Sequence, residues 1–348
     1  MALGLRTLAA AALLVLLAGC ANDPDDPPPP TGGSGPDIRI AFASDRPPAT
    51  QGQHDIYFYD VANGGAPYLA PNANSAANES PMAFSADGSR MALMTFRSLI
   101  GSVASLLLYD VPTGRLEVPL AINTLVGPNN PALSGDGRLL ASHYQVGGPF
   151  DLFVAAEDVA ADTLLSLNGL NEPFAATFDP YLNGDGSLMV VASNSTRSMG
   201  AFDILLYSVA ADSFLALPGL NSVHQELSPS ISADGRYVAY QSGDPAGVGI
   251  VDVYVYDRQT ETKLDLPGAN SVLSEYQPTI SADGRWLVYT TDSEGGGDVV
   301  LYDLQERKRV PLPGLNDPIY RDEFPVVAPA AGISLARRVT SRAAPLAP

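Results

Sequence analysis

Five Asp-Gly pairs recur at a fixed interval along the chain, and this repeat constrains the fold more than any other feature. Their aspartates are spaced 49 residues apart, four times in succession, at Asp87, Asp136, Asp185, Asp234 and Asp283. A fixed period of this length is typical of repeat proteins, in which each unit is one supersecondary element. The 348 residues therefore have to be divided into repeats before they are divided into domains.

Each unit contains four runs of strand length, named A to D in chain order. Run A ends at the Asp-Gly pair, and run B follows at once, as in RYVAYQS. Run C typically ends in Tyr-Asp, as in DVYVYD, and run D ends at Leu-Pro, as in KRVPLP. The runs are rich in Val, Leu, Ile and Tyr and are bounded by turn residues, which predicts strands. An Asp-Gly turn joins two strands as a hairpin, so each unit is predicted to be a four-stranded antiparallel sheet.

The second strand of each unit is apolar at successive positions, as in Val238, Ala239 and Tyr240. A strand with water on one face would alternate, so these sheets are expected to be covered on both faces. Four-stranded sheets that repeat and pack face to face form a β-propeller. The first segment, from IRIAFASDR to APYLAP, has B, C and D but no A, whereas EFPVVAPAAG near the C-terminus reads as an isolated A. The sequence predicts an all-β, six-bladed β-propeller whose C-terminal strand completes the first blade and removes an exposed edge.

The units SADGRYVAYQS and SADGRWLVYTTDS with DVVLYD resemble the TolB-type propeller repeat, and the resemblance covers nearly the whole chain after its apolar N-terminus. The family pattern has Ser-Pro-Asp-Gly, whereas this chain has alanine at Ala86, Ala233 and Ala282. We expect the chain to lack the N-terminal α/β domain that TolB proteins carry. The resemblance implies a fold and says much less about function, because propellers host many functions.

The first 19 residues have the pattern of a secretory signal, with Arg6 followed by an apolar run from Leu8 to Leu17. This run is shorter than the roughly 20 residues that a membrane-spanning helix needs. The following LAGC resembles the lipobox of bacterial lipoproteins, in which the cysteine is joined to diacylglycerol. The resemblance implies lipidation of Cys20, the only cysteine in the chain. Ala21 stands where an aspartate tends to retain lipoproteins at the inner membrane, which favours an outer-membrane anchor facing the periplasm or the cell surface.

The predicted organisation is a signal peptide over 1–19, a lipidated cysteine and Pro/Gly-rich tether over 20–36, a propeller over 37–338 and a loose tail over 339–348. Without the signal, 18 basic and 38 acidic residues leave a net charge of −20. Such a surface repels nucleic acid and favours cations or basic partners.

The candidate site follows from the predicted topology. The D–A and B–C loops share one end of the blades, and strand A is expected to be innermost. Acids near the start of strand A would then ring the mouth of the central channel. The predicted binding residues are Glu79, Asp179, Glu226, Glu275 and Glu323. In the unit that lacks an acid, the nearest polar groups are Asn129 and Asn130. Converging carboxylates suit a cation or a basic peptide. The alternative is that each acid accepts hydrogen bonds from loop amides.

These features predict a monomeric scaffold that binds an envelope protein or a basic peptide through its loop face and channel mouth. We expect no enzyme activity and no cofactor, although a divalent cation such as calcium stays open. The histidines His54, His143 and His224 are scattered, and the chain has no nucleophile elbow. The alternatives are a propeller enzyme of lyase, hydrolase or lactonase type that uses the carboxylates with a divalent metal, and a passive surface or matrix lipoprotein.

Overall fold

The structure is a computed structural model, and it describes residues 35–47, 54–96, 104–148, 151–292 and 296–330. The predicted signal peptide, Cys20, most of the tether and the C-terminal tail lie outside these residues. Within them, no helix is both long and apolar enough to cross a membrane.

Six four-stranded antiparallel sheets form the blades of a propeller, which confirms the predicted all-β fold. Blade 1 consists of β1 (Ile38–Ser44), β2 (Asp55–Asp60), β3 (Tyr68–Leu69) and the C-terminal β24 (Asp322–Pro329). Blade 2 consists of β4 (Glu79–Phe84), β5 (Arg90–Thr95), β6 (Ser105–Asp110) and β7 (Arg115–Glu117). Blade 3 consists of β8 (Asn129–Leu133), β9 (Leu139–Gln145), β10 (Leu152–Asp158) and β11 (Thr163–Leu164).

The remaining blades repeat the same order. Blade 4 consists of β12 (Thr177–Leu182), β13 (Leu188–Ser193), β14 (Asp203–Ser208) and β15 (Ser213–Leu215). Blade 5 consists of β16 (Glu226–Ile231), β17 (Tyr237–Ser242), β18 (Asp252–Asp257) and β19 (Thr262–Lys263). Blade 6 consists of β20 (Glu275–Ile280), β21 (Trp286–Thr291), β22 (Asp298–Asp303) and β23 (Lys308–Val310). One short helix, α1 (Leu120–Asn123), lies between blades 2 and 3.

The hydrophobic core lies between neighbouring blades. Every residue of β21 is buried, and Trp286 and Val288 pack with Ile40 and Tyr59 of blade 1. This burial on both faces is what the uninterrupted apolar run of strand B predicts.

The ring closes where β24 pairs with β1, from Ile38 opposite Pro329 to Ser44 opposite Asp322. The Arg46 guanidinium reinforces this junction with an ion pair of 2.5 Å to the Asp322 carboxylate, and both side chains are buried. The predicted completion of blade 1 by a C-terminal strand is confirmed.

The asparagine that recurs in each D–A loop has one structural role in all six blades. Its side-chain amide pairs with strand C of its own blade as another strand would. In blade 4, the Ile204 N–H donates to Asn221 Oδ1 at 2.9 Å, and Asn221 Nδ2 donates to the Ile204 carbonyl at 2.8 Å. The equivalent residues are Asn74, Asn123, Asn171, Asn270 and Asn316. The asparagine therefore continues the hydrogen-bonding edge beyond the short strand D.

The proline of the D–A loop connects neighbouring blades. In blades 1, 2, 5 and 6, the tyrosine at the end of strand C donates a hydrogen bond to the carbonyl of this proline in the preceding loop, as Tyr302 does to Pro267 at 3.2 Å, whereas Tyr207 of blade 4 donates to Asp212. Blade 3 departs from this pattern, because Glu157 takes the place of the tyrosine. Its carboxylate accepts from the Ile122 N–H of α1 at 2.8 Å, in the segment that replaces Leu-Pro-Gly.

Candidate functional site

The innermost strands, β24, β4, β8, β12, β16 and β20, each carry a proline that faces the central channel. They are Pro81, Pro131, Pro180, Pro229, Pro278 and Pro325. Strand A has no neighbour on the channel side, so a proline there gives up no hydrogen bond of the sheet. In every blade the register between strands A and B shifts at this proline, which marks a β-bulge.

The residue before the proline adopts a left-handed backbone conformation in five blades. The φ angles are 46° at Asn130, 48° at Asp179, 50° at Ser228, 56° at Gln277 and 55° at Phe324. A non-glycine residue in this region costs about 1–3 kcal/mol, and such strain clusters at ligand-binding sites. Glycine would remove the strain, so the side chains at these positions lower the stability of the fold.

These bulges surround a cavity of about 200 Å³ in the channel. Its walls differ from one side to the other. Blades 3 to 6 make a polar side, with Asn130, Asp179, Ser228 and Gln277. Blades 1 and 2 make an apolar side, with Met82, Phe324 and Val326. The six prolines, Tyr181 and Thr279 complete the lining. The cavity therefore offers hydrogen-bonding groups on one side and apolar surface on the other.

Among the described residues, Asp179 is the one carboxylate that lines this cavity. Asn130 Nδ2 donates to Asp179 Oδ1 at 2.5 Å, and the Ser228 side chain donates a further hydrogen bond. Burial raises the pKa of the Asp179 carboxyl, and these two hydrogen bonds oppose the rise. The Asp179 N–H points to His143 Nδ1 at 3.4 Å. Burial lowers the pKa of His143 to about 4, so its imidazole is neutral at neutral pH.

The glutamates predicted from the sequence lie elsewhere. Glu79, Glu226 and Glu275 are buried at the start of their strands and do not line the cavity. Each accepts hydrogen bonds from the serine four residues earlier; for Glu226 the partners are the Ser222 N–H at 3.3 Å and Ser222 Oγ at 2.5 Å. Of the five predicted carboxylates, the structure thus brings Asp179 alone to the cavity, and these three glutamates hold the D–A loops.

In the closing strand β24, the residue equivalent to the buried glutamates lies one position before the predicted one. Asp322 pairs opposite Ser44 as Glu226 pairs opposite Ser242, so Asp322 rather than Glu323 is the counterpart of the buried glutamates. Glu323 instead makes an ion pair of 3.0 Å with Arg321. The 49-residue period misplaces this strand, because its proline follows that of blade 6 after 47 residues.

Sequence reasoning missed Ser228, Gln277, Phe324 and Met82 as cavity residues. A signal for most of them is present: in four units a proline stands five residues before the Asp of the Asp-Gly pair. A residue followed by proline at a fixed place in an edge strand predicts a bulge, and the side chain at that bulge faces the channel.

A plug of apolar side chains closes the channel below the cavity. One buried residue from each blade contributes to it; they are Phe84, Leu133, Leu182, Ile231, Ile280 and Val327. The space that they leave is about 20 Å³, roughly enough for one water molecule.

The A–B turns at the lower end are joined by backbone hydrogen bonds from blade to blade. The Ala86 N–H donates to the Gly135 carbonyl at 2.8 Å, Gly184 donates to Ala233 at 2.9 Å, and Ala233 donates to Ala282 at 3.0 Å. Proline has no N–H to donate, so a proline at Ala86, Gly184 or Ala233 would remove one of these hydrogen bonds.

Other titratable groups on the loop face are dispersed. His224 lies 3.6 Å from the Asp244 carboxylate, on the solvent side of the D–A loop, and Glu226 is buried beneath that loop. In the part of the chain that the structure describes, no group of three or more His, Cys, Asp or Glu side chains is arranged to hold a metal ion.

Neither the protein-family models nor the curated proteins contain a match to this sequence. Solved structures do match. TolB from Acinetobacter baumannii is similar over 86% of this chain and 68% of its own, with 21% identity and a TM-score of 0.61. A putative TolB from Agrobacterium tumefaciens matches over 84% and 98%, with 13% identity and a TM-score of 0.55. A puromycin hydrolase matches over 82% and 54%, with 16% identity and a TM-score of 0.53. At these identities the likeness concerns the fold, and the chain is a TolB-like six-bladed β-propeller.

Proposed function

We propose that this chain is an envelope lipoprotein whose propeller binds a protein or peptide on the face that carries the D–A and B–C loops, named here the loop face. One observation carries the proposal. Of the exposed large hydrophobic residues in the described ranges, all but Leu120, Leu164 and Leu215 lie on this face. They are Phe96, Val126, Val146, Phe174, Met199, Val223, Val248, Ile250, Val272, Leu273 and Ile319. Apolar side chains concentrated on one face of a soluble domain mark interaction sites.

The loops that carry these side chains are braced against one another. In blade 5, the N–H groups of Val248 and Gly249 donate to the Asp252 carboxylate at 2.5 and 2.9 Å. A Cβ at Gly249 would overlap the Leu273 carbonyl, so the B–C loop rests directly on the D–A loop. Asp203 holds the Met199 and Gly200 N–H groups of blade 4 in the same way. A braced surface loses little conformational entropy on binding, which favours docking of a partner.

The proposed lipid anchor at Cys20 is compatible with a free loop face. Gly35 packs against the Val61 carbonyl, at the C–D turn of blade 1 and thus at the end opposite the loop face. A tether that continues from this end would keep the anchor away from the loop face. The proposed partner is therefore an envelope protein or peptide, and the proposed location is the outer membrane, with the loop face toward the periplasm or the exterior.

Site-specific photocrosslinking in the envelope tests the binding proposal. A photoreactive residue at Val272 should capture a discrete partner, whereas one at Leu215, on an outer strand, should not. The double substitution Val223→Glu and Val248→Glu should abolish capture at Val272, and the control Leu215→Glu should leave it intact. The same products from Val272 and Leu215, or capture that survives both glutamates, would contradict the proposal.

A further inference from the structure

Within the part of the chain that the structure describes, Asp179 has no cationic partner. Among the described residues, the nearest basic group is His143, whose Nδ1 lies 3.9 Å from the Asp179 carboxylate. Burial keeps this imidazole neutral by lowering its pKa to about 4. The donors to Asp179, Asn130 and Ser228, are neutral as well. A largely buried carboxylate without a counter-ion is unfavourable unless a ligand supplies the charge, which makes it a candidate binding group.

The number of ligating groups favours an organic cation over a metal ion. Calcium takes six to eight oxygen ligands, commonly from several carboxylates. The cavity offers one carboxylate with neutral amide and hydroxyl neighbours, and no cluster of three acids or histidines lies in the described ranges. A carboxylate has about four lone-pair positions, so Asp179 can still accept hydrogen bonds from an ammonium or guanidinium group.

The size and closure of the cavity favour a single side chain. Its volume of about 200 Å³ is below the roughly 300–1,000 Å³ of pockets that hold whole small molecules. The apolar plug closes it below, so a polypeptide could not thread through the channel. Met82 and Phe324 stand on the side away from Asp179, where they can contact an aliphatic stem while its charged end reaches the carboxylate.

We propose that the cavity receives one lysine or arginine side chain of the partner, with its cationic group at Asp179 and its methylenes against Met82 and Phe324. This inference rests on the proposed function, because the partner would have to lie on the loop face to insert the side chain. The apolar rim would hold the partner, and the cavity would select a partner that places a basic residue at the centre of the interface.

Small probes test the cavity separately from the partner. The purified full chain is titrated by calorimetry with the Nα-acetyl methylamides of lysine, arginine and norleucine. Lysine or arginine should bind at least about tenfold more tightly than norleucine, because only these probes supply a charge to the buried carboxylate. Asp179→Asn should remove this preference. Asparagine tolerates the left-handed backbone at this position, so the fold should persist, as a thermal melt would verify.

The matched control is Asp265→Asn, which removes the same charge from a side chain that is 83% exposed. It should leave the preference unchanged.

Equal binding of lysine, arginine and norleucine would overturn the proposal, and so would a preference that Asp179→Asn retains. If the preference is absent while capture at Val272 still depends on the apolar rim, the cation site fails and the binding face stands. If the preference is present without rim-dependent capture, the inserted partner side chain is ruled out and Asp179 binds free cations only.

Discussion

The Tyr256 hydroxyl of blade 5 donates a hydrogen bond of 2.7 Å to the carbonyl of Pro218, in the loop that follows blade 4. The same contact joins Tyr109 to Pro71 at 2.7 Å and, across the closure of the ring, Tyr59 to Pro313 at 3.0 Å. The Leu-Pro-Gly corner therefore connects one blade to the next. Its recurrence reflects the assembly of the ring rather than a repeated ligand contact.

Removing one of these hydroxyls should weaken the ring without changing its core. Tyr256→Phe leaves the Pro218 carbonyl without its donor, so we expect a loss of about 1–2 kcal/mol in the free energy of unfolding. Urea denaturation measures this loss. The control is Tyr237→Phe, because in the described part of the chain no hydrogen bond is found for the Tyr237 hydroxyl. An equal effect of both substitutions would show that the loss comes from general repacking.

The asparagine that pairs with strand C should not tolerate aspartate at neutral pH. In Asn221→Asp, the carboxylate still accepts from the Ile204 N–H but faces the Ile204 carbonyl without a proton to donate. We expect a cost of about 1–3 kcal/mol at pH 7.5.

The pH dependence of this variant follows from the same geometry. A protonated carboxyl can donate to the Ile204 carbonyl, so the folded-state pKa of the new aspartate lies above its unfolded value of about 3.9. The penalty is present above the folded-state pKa and decreases as the pH falls through it. Denaturation at pH 7.5 and 4.5 should reveal this recovery. A penalty that is independent of pH would contradict the donor role.

The sequence was sufficient for the blades and insufficient for the site, for physical reasons. An Asp-Gly hairpin and an apolar strand B are local features, so the 49-residue period predicted the blades and their closure. An acid near the start of strand A looks the same in the sequence whether it faces the channel, as Asp179 does, or lies beneath a loop, as Glu226 does. The difference is set by the bulge at Pro180 and Pro229, which turns the preceding residue toward the channel. The shorter spacing before β24 similarly concealed the role of Asp322.

The Arg46–Asp322 ion pair should be important for ring closure. Asp322 is fully buried, and desolvation raises its pKa to about 6 although Arg46 opposes the rise. Arg46→Met removes the cation, so the pKa of Asp322 should rise further. Because a raised folded-state pKa means that stability is lost as the pH increases, the variant should lose about 3–5 kcal/mol at pH 8 and less at pH 5.

An exposed ion pair provides the comparison for Arg46. Arg138 pairs with Asp158 at 3.0 Å, but its side chain is 60% exposed. Arg138→Met should therefore cost at most about 1 kcal/mol and show little dependence on pH. Equal losses for the two arginine variants at pH 8 would show that burial of the Asp322 carboxylate does not control the closure.

The proposed anchor predicts a simple change in location. Cys20→Ser removes the thiol that lipidation requires, so the protein should move from the membrane fraction to the soluble fraction. Detergent phase partitioning of cell extracts measures this change, and Ala21→Ser serves as a control that keeps Cys20. A Cys20→Ser variant that stays with the membrane would contradict anchoring through this residue.

The blade-to-blade hydrogen bonds at the lower end of the channel can be tested by restoring the family's proline. Ala233 and Ala282 occupy the same place in identical SADGR segments. The Ala233 N–H donates to the Ala282 carbonyl at 3.0 Å, whereas for the Ala282 N–H no hydrogen bond is found within the described residues.

Ala233→Pro should cost about 1–3 kcal/mol in the free energy of unfolding, because it removes a donor and leaves a carbonyl without its partner. Ala282→Pro loses no such bond and should change stability by less than about 1 kcal/mol. Thermal and urea denaturation of both variants measure the difference, and equal costs would mean that the proline ring itself, rather than the missing N–H, is what these turns exclude.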